Sequence, residues 1–462
     1  MVHVPNSSRP KVWSGVFILT IVITFFAFVA GQGLNTGMSV YVEHQGGTAT
    51  FAGLLMAVFS ASAAVSRIVV GPAIDTRGRR TIMVAGSAVL AVGVLLPGVI
   101  PGDTSLVVGR LLQGVGFASA TTAVATAAAD TLPQERMAEG ISYYGLGQAL
   151  ATSVGPAFAL FLIGTDPAEN LFYVLAAVAG VTMVLAGVCG YERRLSMLPK
   201  EAVYRQEHEA NAESASCAAG EEFDGKTPGS SPEDKGGVRE GAGGARAHSA
   251  LSAKLADADA TAPKEPRGIL RIFEPRALPG AVPMLFMSAA FGFAVSFAGL
   301  YGESLGIANA GVFYTCSAVS MIVIRFASKP LMEALLPIQT FALAGACGIV
   351  AFAMLLASGS SELLFYGAGL FYGVCLGISL PLNQSVAIKN TPPERWGATN
   401  ALYLLASDIG IGGASVIWGA TNDLFGFSFT ICCVIGCVLV SYALAWAVYP
   451  QSAKRRSAAR QP

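Results

Sequence analysis

Gly71-Pro72-Ala73-Ile74-Asp75-Thr76-Arg77-Gly78-Arg79-Arg80 is a short charged hairpin held between two long apolar stretches, residues 49–74 and 80–100. Each stretch has the ~20 residues needed to cross a bilayer core as a helix. The hairpin therefore reads as a turn between two spanning helices, with its arginines on one side of the membrane. Working outward, ten more apolar stretches appear: 13–41, 104–129, 138–163, 170–190, 279–302, 309–328, 339–358, 361–387, 396–419 and 426–449. The gaps around Arg136, around Lys329, and around Lys389 and Arg395 carry cations, as do the two tails through Arg9, Lys11, Lys454, Arg455, Arg456 and Arg460. The alternate gaps, 42–48, 101–103, 164–169, 303–308, 359–360 and 420–425, contain no Lys or Arg. By the positive-inside bias, the cation-bearing gaps and both termini are expected on the cytoplasmic side of a plasma (inner) membrane.

Composition points the same way. The chain is 53% hydrophobic and only 13% charged, against roughly 25% charged in an ordinary soluble domain. This excludes a soluble globular class. The eight cysteines sit mostly inside apolar spans, without metal-ligand spacing, and read as small apolar residues. His3, His44, His208 and His248 are scattered, and no phosphate loop or serine-nucleophile setting occurs. No metal, no cofactor and no nucleic-acid partner is expected, and the chain reads as a non-enzyme.

Hydropathy collapses between about 192 and 278 into a stretch rich in Ala, Glu, Gly, Ser and Asp, expected to be a largely disordered cytoplasmic linker. Within it, Gly268–Leu278 is punctuated by Arg271 and Arg276 and reads either as a surface amphipathic segment or as plain linker. The expected organisation is an N-terminal tail 1–12, a six-helix bundle 13–191, the linker 192–278, a second six-helix bundle 279–449 and a basic tail 450–462. An internal repeat supports the division. A shift of 258 residues lays Ser62, Val65, Arg67, Pro72 and Asp75 on Ser320, Val323, Arg325, Pro330 and Glu333. A shift of 259 lays Pro133, Glu135, Arg136 and Tyr144 on Pro392, Glu394, Arg395 and Tyr403, and the stripe Gly147, Ala151, Gly155 on Ala406, Gly410, Ala414. Gly369, Gly373 and Gly377 form a further stripe. Spacing of four keeps such residues on one helix face, where two backbones can approach closely. The fold class is thus an all-α membrane protein, twelve transmembrane helices in two six-helix pseudo-repeat bundles, an arrangement suited to rocking about a midplane site.

The hairpin resembles the signature loop of the major facilitator superfamily: Gly71, three residues, Asp75, then Arg77, Gly78, Arg79 and Arg80. Thr76 departs from that pattern, since a cation is common there. The resemblance covers all twelve spans. It implies a cytoplasmic latch in which Asp75 meets the start of the eleventh helix and Arg79 meets Asp130 at the end of the fourth. The second half carries a degraded loop, Lys329-Pro330-Leu331-Met332-Glu333, so gating charge is expected mainly in the first half. Physically, Gly71 is read as a close-packing position and Gly78 as the tight turn.

Two further patterns resemble family elements. Arg110-Leu111-Leu112-Gln113-Gly114-Val115-Gly116 is similar to an intramembrane motif recurring in proton-coupled members, and Gly155-Pro156 is a partial match to an element of exporters. An arginine at bilayer depth is costly and faces a partner or a watery cavity. Arg110 has two readings, a functional group or a tie to backbone carbonyls. Proton coupling needs an acid in a partly dry place, and the candidates are Asp408 and Glu303; the alternatives are a helix–helix hydrogen bond for the first and a solvated loop residue for the second. Arg67 and Arg325 read as structural residues snorkelling to the nearest surface. If the family arrangement holds, Gln32, Asn35, Arg110, Gln113, Gln148, Ser296, Tyr301, Asn383, Gln384, Tyr403 and Asp408 are the polar residues of the spans that line the cavity.

The chain as a whole is similar to bacterial efflux permeases that export drugs, sugars and metallophores. The resemblance implies a secondary active transporter working by alternating access as a monomer, with a small-molecule cargo, the proton as coupling ion and the lipid bilayer as partners. Proton-coupled export, an antiport, is the leading reading. A proton-coupled uptake permease is the alternative, and a membrane sensor or enzyme is a remote third.

Overall fold

Apolar stretches separated by short breaks become a series of consecutive antiparallel helices: α1 (Gly15–His44), α2 (Ala49–Arg77), α3 (Arg79–Val99), α4 (Asp103–Asp130), α5 (Met137–Ile163) and α6 (Asn170–Val188). After the tether come α7 (Leu278–Ser304), α8 (Val312–Ala334), α9 (Pro337–Ala357) and α10 (Glu362–Lys389). A final helical run, Trp396–Ala458, is broken at Gly426, whose φ of 80° no L side chain adopts readily, giving α11 (396–425) and α12 (427–458). The structure is a computed structural model that describes residues 10–165, 167–212, 274–359, 361–389, 391 and 396–458. Among the described residues there is no β-strand, only an isolated bridge between Pro133 and Ala202.

Ten of these segments are long and apolar enough to cross a membrane, the run 402–449 counting as one. Gly426 divides that run, and α8, whose apolar part is Val312–Arg325, completes the twelve. The expected gap 420–425 is helical instead of loop. Nothing in Ala-Thr-Asn-Asp-Leu-Phe stops a helix, so the chain turns only at Gly426. The last helix also runs beyond 449 to Ala458.

Local chemistry sets the other ends. Ser14 caps α1 by accepting from Phe17 N at 3.1 Å, and Thr48 caps α2 by accepting from Phe51 N at 3.2 Å. Between α2 and α3 a single residue, Gly78 with φ 85°, reverses the chain. Prolines 72, 97, 156, 283 and 381 lie inside helices, tolerated because packed neighbours re-satisfy the backbone.

Within each half the helices approach through glycine. An added Cβ at Gly93 would lie 2.6 Å from Gln113 N, and one at Gly109 would lie 2.8 Å from Gly93 O, so α3 and α4 touch backbone to backbone. Gly155 stands 3.0 Å from Gly33 N by the same measure, joining α5 to α1, and Gly147 faces Ile21. In the second half Gly369, Gly373 and Gly377 of α10 lie on Phe313, Ser317 and Ile324 of α8. Across the halves, α2 lies against α11, α5 against α8 and α1 against α7. One apolar core holds residues of both halves, from Phe28 to Tyr449.

The chain forms two compact units, Met1–Gln206 with Glu274–Pro462, and Glu207–Phe273. Of the second, only residues 207–212 are described, and they are helical. Tyr191, Leu198, Ala202 and Tyr204 are buried with Val70, Ile74 and Met83, so the first residues of the tether belong to the N-terminal half's core. Residues 213–273, on which the expectation of disorder falls, lie outside the described residues.

Candidate functional site

Three groups of polar side chains occupy the apolar frame. The deepest surrounds Arg110 on α4, which is 1% exposed. Its Nη1 donates to Asn35 Oδ1 at 2.7 Å and to Gln113 Oε1 at 2.8 Å, while Nη2 donates to Leu34 O at 3.5 Å. Gln113 Nε2 donates to Gly31 O at 3.3 Å, and Asn35 Nδ2 to Gln32 Oε1 at 3.0 Å. The guanidinium lies 5.6 Å from the Phe59 ring centre. Residues 110 and 113 share a face of α4 at i, i+3 spacing, and α1 supplies the rest. Every hydrogen-bond partner of Arg110 is neutral, and its Nε is buried without one. In this conformation the guanidinium is closed off from solvent.

A second group lies between the halves. Arg67 Nε on α2 donates to Asp408 Oδ2 on α11 at 3.3 Å, and Arg67 Nη1 to Thr122 Oγ1 at 3.5 Å. Both charged side chains are partly exposed, 21% and 22%. Arg67 thus turns towards the opposite half, where the sequence reading had it snorkelling to the surface; an acid at its own depth is a nearer partner than interfacial water. The repeat-related Arg325 of α8 approaches α5, its Nη2 3.0 Å from where a Cβ on Gly145 would stand.

Other polar positions bond to helix backbones or to side chains of neighbouring helices. Tyr403 OH donates to Leu380 O at 2.9 Å, Tyr301 OH to Leu355 O at 3.1 Å, and Asn383 accepts from Tyr449 OH at 2.8 Å while donating to Ser379 O at 2.9 Å. Ser296 and Ser415 hydroxyls lie 3.2 Å apart. Gln148 and Gln384 are half-buried on α5 and α10. Glu303 is set apart, at the Thr48 end of the molecule, with its Oε2 3.3 Å from His44 Nε2. The expected acids thus occupy two different levels, and only Asp408 lies on the α2–α11 seam.

The third group is the Gly78 hairpin. Arg79 Nε donates to Asp130 Oδ2 at 3.0 Å, an oxygen that also accepts from Tyr191 OH at 2.9 Å. Glu192 caps α3: one carboxylate oxygen accepts from Arg79 N at 2.7 Å, the other from Arg80 N at 3.1 Å. A carboxylate there meets the positive end of the helix. Arg80 Nε donates to Gly187 O at 3.0 Å, and the Arg79 guanidinium stands 5.4 Å from the Tyr204 ring centre. Burial pushes the Tyr204 phenol above its ordinary pKa. Arg77 is exposed. The side chain of Asp75 lies outside the described residues, as do those of Lys329 and Glu333 and all of residues 392–395. Among the described residues an added Cβ at Gly71 would meet nothing within 4 Å.

Among the described residues no group of three or more His, Cys, Asp or Glu could hold a metal ion. The arrangement offers an ion pair between two packed halves, a buried cation in one of them and a charged hairpin at one end.

A family model of the Major Facilitator Superfamily matches residues 20–415. The staphylopine export protein of Staphylococcus aureus is 22% identical over 431 residues, 92% of this chain and 94% of that protein. Among solved structures, a POT family transporter in complex with 5-aminolevulinic acid superposes with a TM-score of 0.66 at 12% identity, over 95% of this chain and 96% of its own. The nucleoside transporter NupG gives 0.61 at 11%, over 94% and 98%. At such identities these structures share the fold alone.

Proposed function

The chain belongs to the Major Facilitator Superfamily and is a multi-pass membrane transporter of a small molecule, and from that premise we propose that it exports its cargo in exchange for protons by alternating access. The observation carrying this reading is the Arg67–Asp408 pair, an acid and its cation on opposite halves at 3.3 Å. Protonating Asp408 removes one charge of the pair and frees Arg67, so proton binding on one half loosens its hold on the other. Export is favoured over uptake by similarity to a protein named as an exporter along nearly its whole length. The Gly155-Pro156 element of α5 agrees with it. The cargo class best supported is an anionic or zwitterionic metabolite, which Arg67 and, in a rearranged α1–α4 pair, Arg110 are suited to meet. Asp130 with Arg79, and Asp75 at the end of α2, are assigned to the gate on the cytoplasmic side of the inner membrane. On this reading both termini and the tether 192–278 share that side, bundles 13–191 and 279–449 are the rocking bodies, and one chain suffices.

Inverted vesicles with an acid interior test the proposal. A panel of carboxylate-bearing and zwitterionic metabolites, staphylopine first, is added outside and proton efflux is followed with a trapped dye. Cargo-provoked efflux, strongly slowed in Asp408→Asn, is the expected result. Cargo accumulating instead in right-side-out vesicles with an acid exterior would establish uptake, and pH-driven transport intact in Asp408→Asn would remove the acid from the mechanism.

A further inference from the structure

At the Thr48 end, the carboxylate of Asp423 on α11 reaches across to the start of α2. Its Oδ1 accepts from Ala49 N at 3.1 Å, and its Oδ2 accepts from Thr50 N at 2.8 Å and from the Thr50 hydroxyl. The acid and the helix it serves belong to different halves, more than 370 positions apart (Asp423 to Thr50 is 373). Helix α2 does not depend on it to start, because Thr48 already accepts from Phe51 N. Asp423 takes donors that water would otherwise satisfy. It also sits in the last turn of its own helix, before the break at Gly426, where the macrodipole disfavours a negative charge. The N-terminus of α2 standing opposite offsets that placement.

The seam beneath this contact is tight. A Cβ on Gly419 would lie 2.8 Å from Thr50 Cα, and one on Gly53 would lie 2.8 Å from the Ser415 carbonyl carbon. On the same end, His44 of α1 meets Glu303 of α7 at 3.3 Å. The two halves are thus closed on each other at the Thr48 end.

We propose that Asp423 is a gating residue of transport, a carboxylate latch on the start of α2 that holds the Thr48 end shut and releases when that end opens. The inference rests on the alternating-access reading; it needs neither the direction of transport nor the identity of the coupling ion. It gives the α2–α11 pair an acid at the end of each helix: Asp423 closes α11 onto the start of α2, and Asp75 stands at the end of α2.

The test uses the full chain in lipid nanodiscs. Spin labels are attached through a non-canonical amino acid at Thr104 and Leu363, exposed positions at the Thr48 end of α4 and α10, leaving the native cysteines in place. Electron–electron distance distributions then report the closed and open populations. Asp423→Ala is expected to raise the open-to-closed ratio about five-fold, the factor for a lost helix cap of ordinary strength. Asp423→Asn, which keeps an acceptor oxygen, is expected to recover most of the wild-type ratio, a rescue that a general loss of stability would not give. Should Asp423→Ala not fold, Thr50→Val removes one contact of the latch and is expected to shift the ratio in the same direction by a smaller factor. Two populations in the wild type that neither Asp423→Ala nor Thr50→Val alters would overturn the latch while leaving alternating access standing. A single unvarying distance in every protein would overturn both.

Discussion

Arg67 and Asp408 meet at 3.3 Å across the boundary between the two halves, one on α2 and the other on α11. The repeat makes this contact one-sided. Arg325, the counterpart of Arg67, lies at the other seam, between α8 and α5, but the counterpart of Asp408 under the 259-residue shift is Ala149. An acid therefore occupies one of two related positions, and protonation at that point alters one seam and not the other. In the reading favoured above, the proton acts on α2–α11 while α5–α8 serves as the opposite side of the rocker.

The pair should behave as one unit. Arg67→Gln and Asp408→Asn are each expected to slow cargo-provoked proton efflux by about ten-fold. The double variant is expected to be no slower than the worse single, because residues acting together lose function non-additively. Measured rates of the three variants decide it: losses that multiply would show two independent roles.

Arg110 leads to a stability prediction. Its fork serves Asn35, Gln113 and the Leu34 carbonyl at once and faces Phe59, and a lysine cannot reproduce that planar set. Arg110→Lys is expected to cost about 1–3 kcal/mol, as buried acceptors lose their donors. Thermal unfolding in nanodiscs measures it. A variant with unchanged melting temperature and abolished transport would instead place Arg110 in the transport step itself.

Glu192 holds two amides at the start of α3, beside the Arg79–Asp130 pair. Glu192→Ala is expected to lose about 1 kcal/mol, the ordinary worth of a helix cap, with faster hydrogen exchange at Arg79 and Arg80. Tyr191→Phe, which removes one donor from Asp130, is expected to lose a comparable amount, about 0.5–1.5 kcal/mol. Unaltered exchange at both amides in Glu192→Ala would show that water replaces the carboxylate without cost.

Helices were the legible part of the sequence, because a bilayer allows few alternatives to them and the length requirement is strict. The turn at 420–425 was not, since composition marks polarity there while only Gly426 carries the backbone reversal. Asp408 stood out as an acid within an apolar span. Its partner did not, because the contact joins positions 341 apart and Arg67 has the length and charge of a snorkelling residue. Glu192 and Asp423 were hidden for a related reason: each caps a helix remote in sequence, 113 and 374 positions away. Capping patterns read from sequence cover only the residues beside a helix's own start.

Gly116 provides the sharpest packing test, because the α3–α4 seam fixes the helix that carries Arg110 and Gln113. A Cβ at Gly116 would lie 2.7 Å from Gly86 O, and one at Gly86 would lie 2.6 Å from Ala120 N, so neither helix has a flexible side chain that could yield. Gly116→Ala must push the backbones apart, and overpacking of this kind costs about 1–3 kcal/mol. Gly180 on α6 is the control, since an added Cβ there meets nothing within 4 Å. Gly180→Ala is expected to be neutral or to stabilise by up to about 1 kcal/mol through helix propensity. The displacement of α4 in Gly116→Ala also carries Arg110 and Gln113 away from Asn35 and Gly31 on α1, so transport should fall with stability, whereas Gly180→Ala should leave transport unchanged. Melting temperatures and transport rates of the two variants check both statements. Equal stability of the two would mean that α3 and α4 can separate freely, and the seam would not be what positions Arg110.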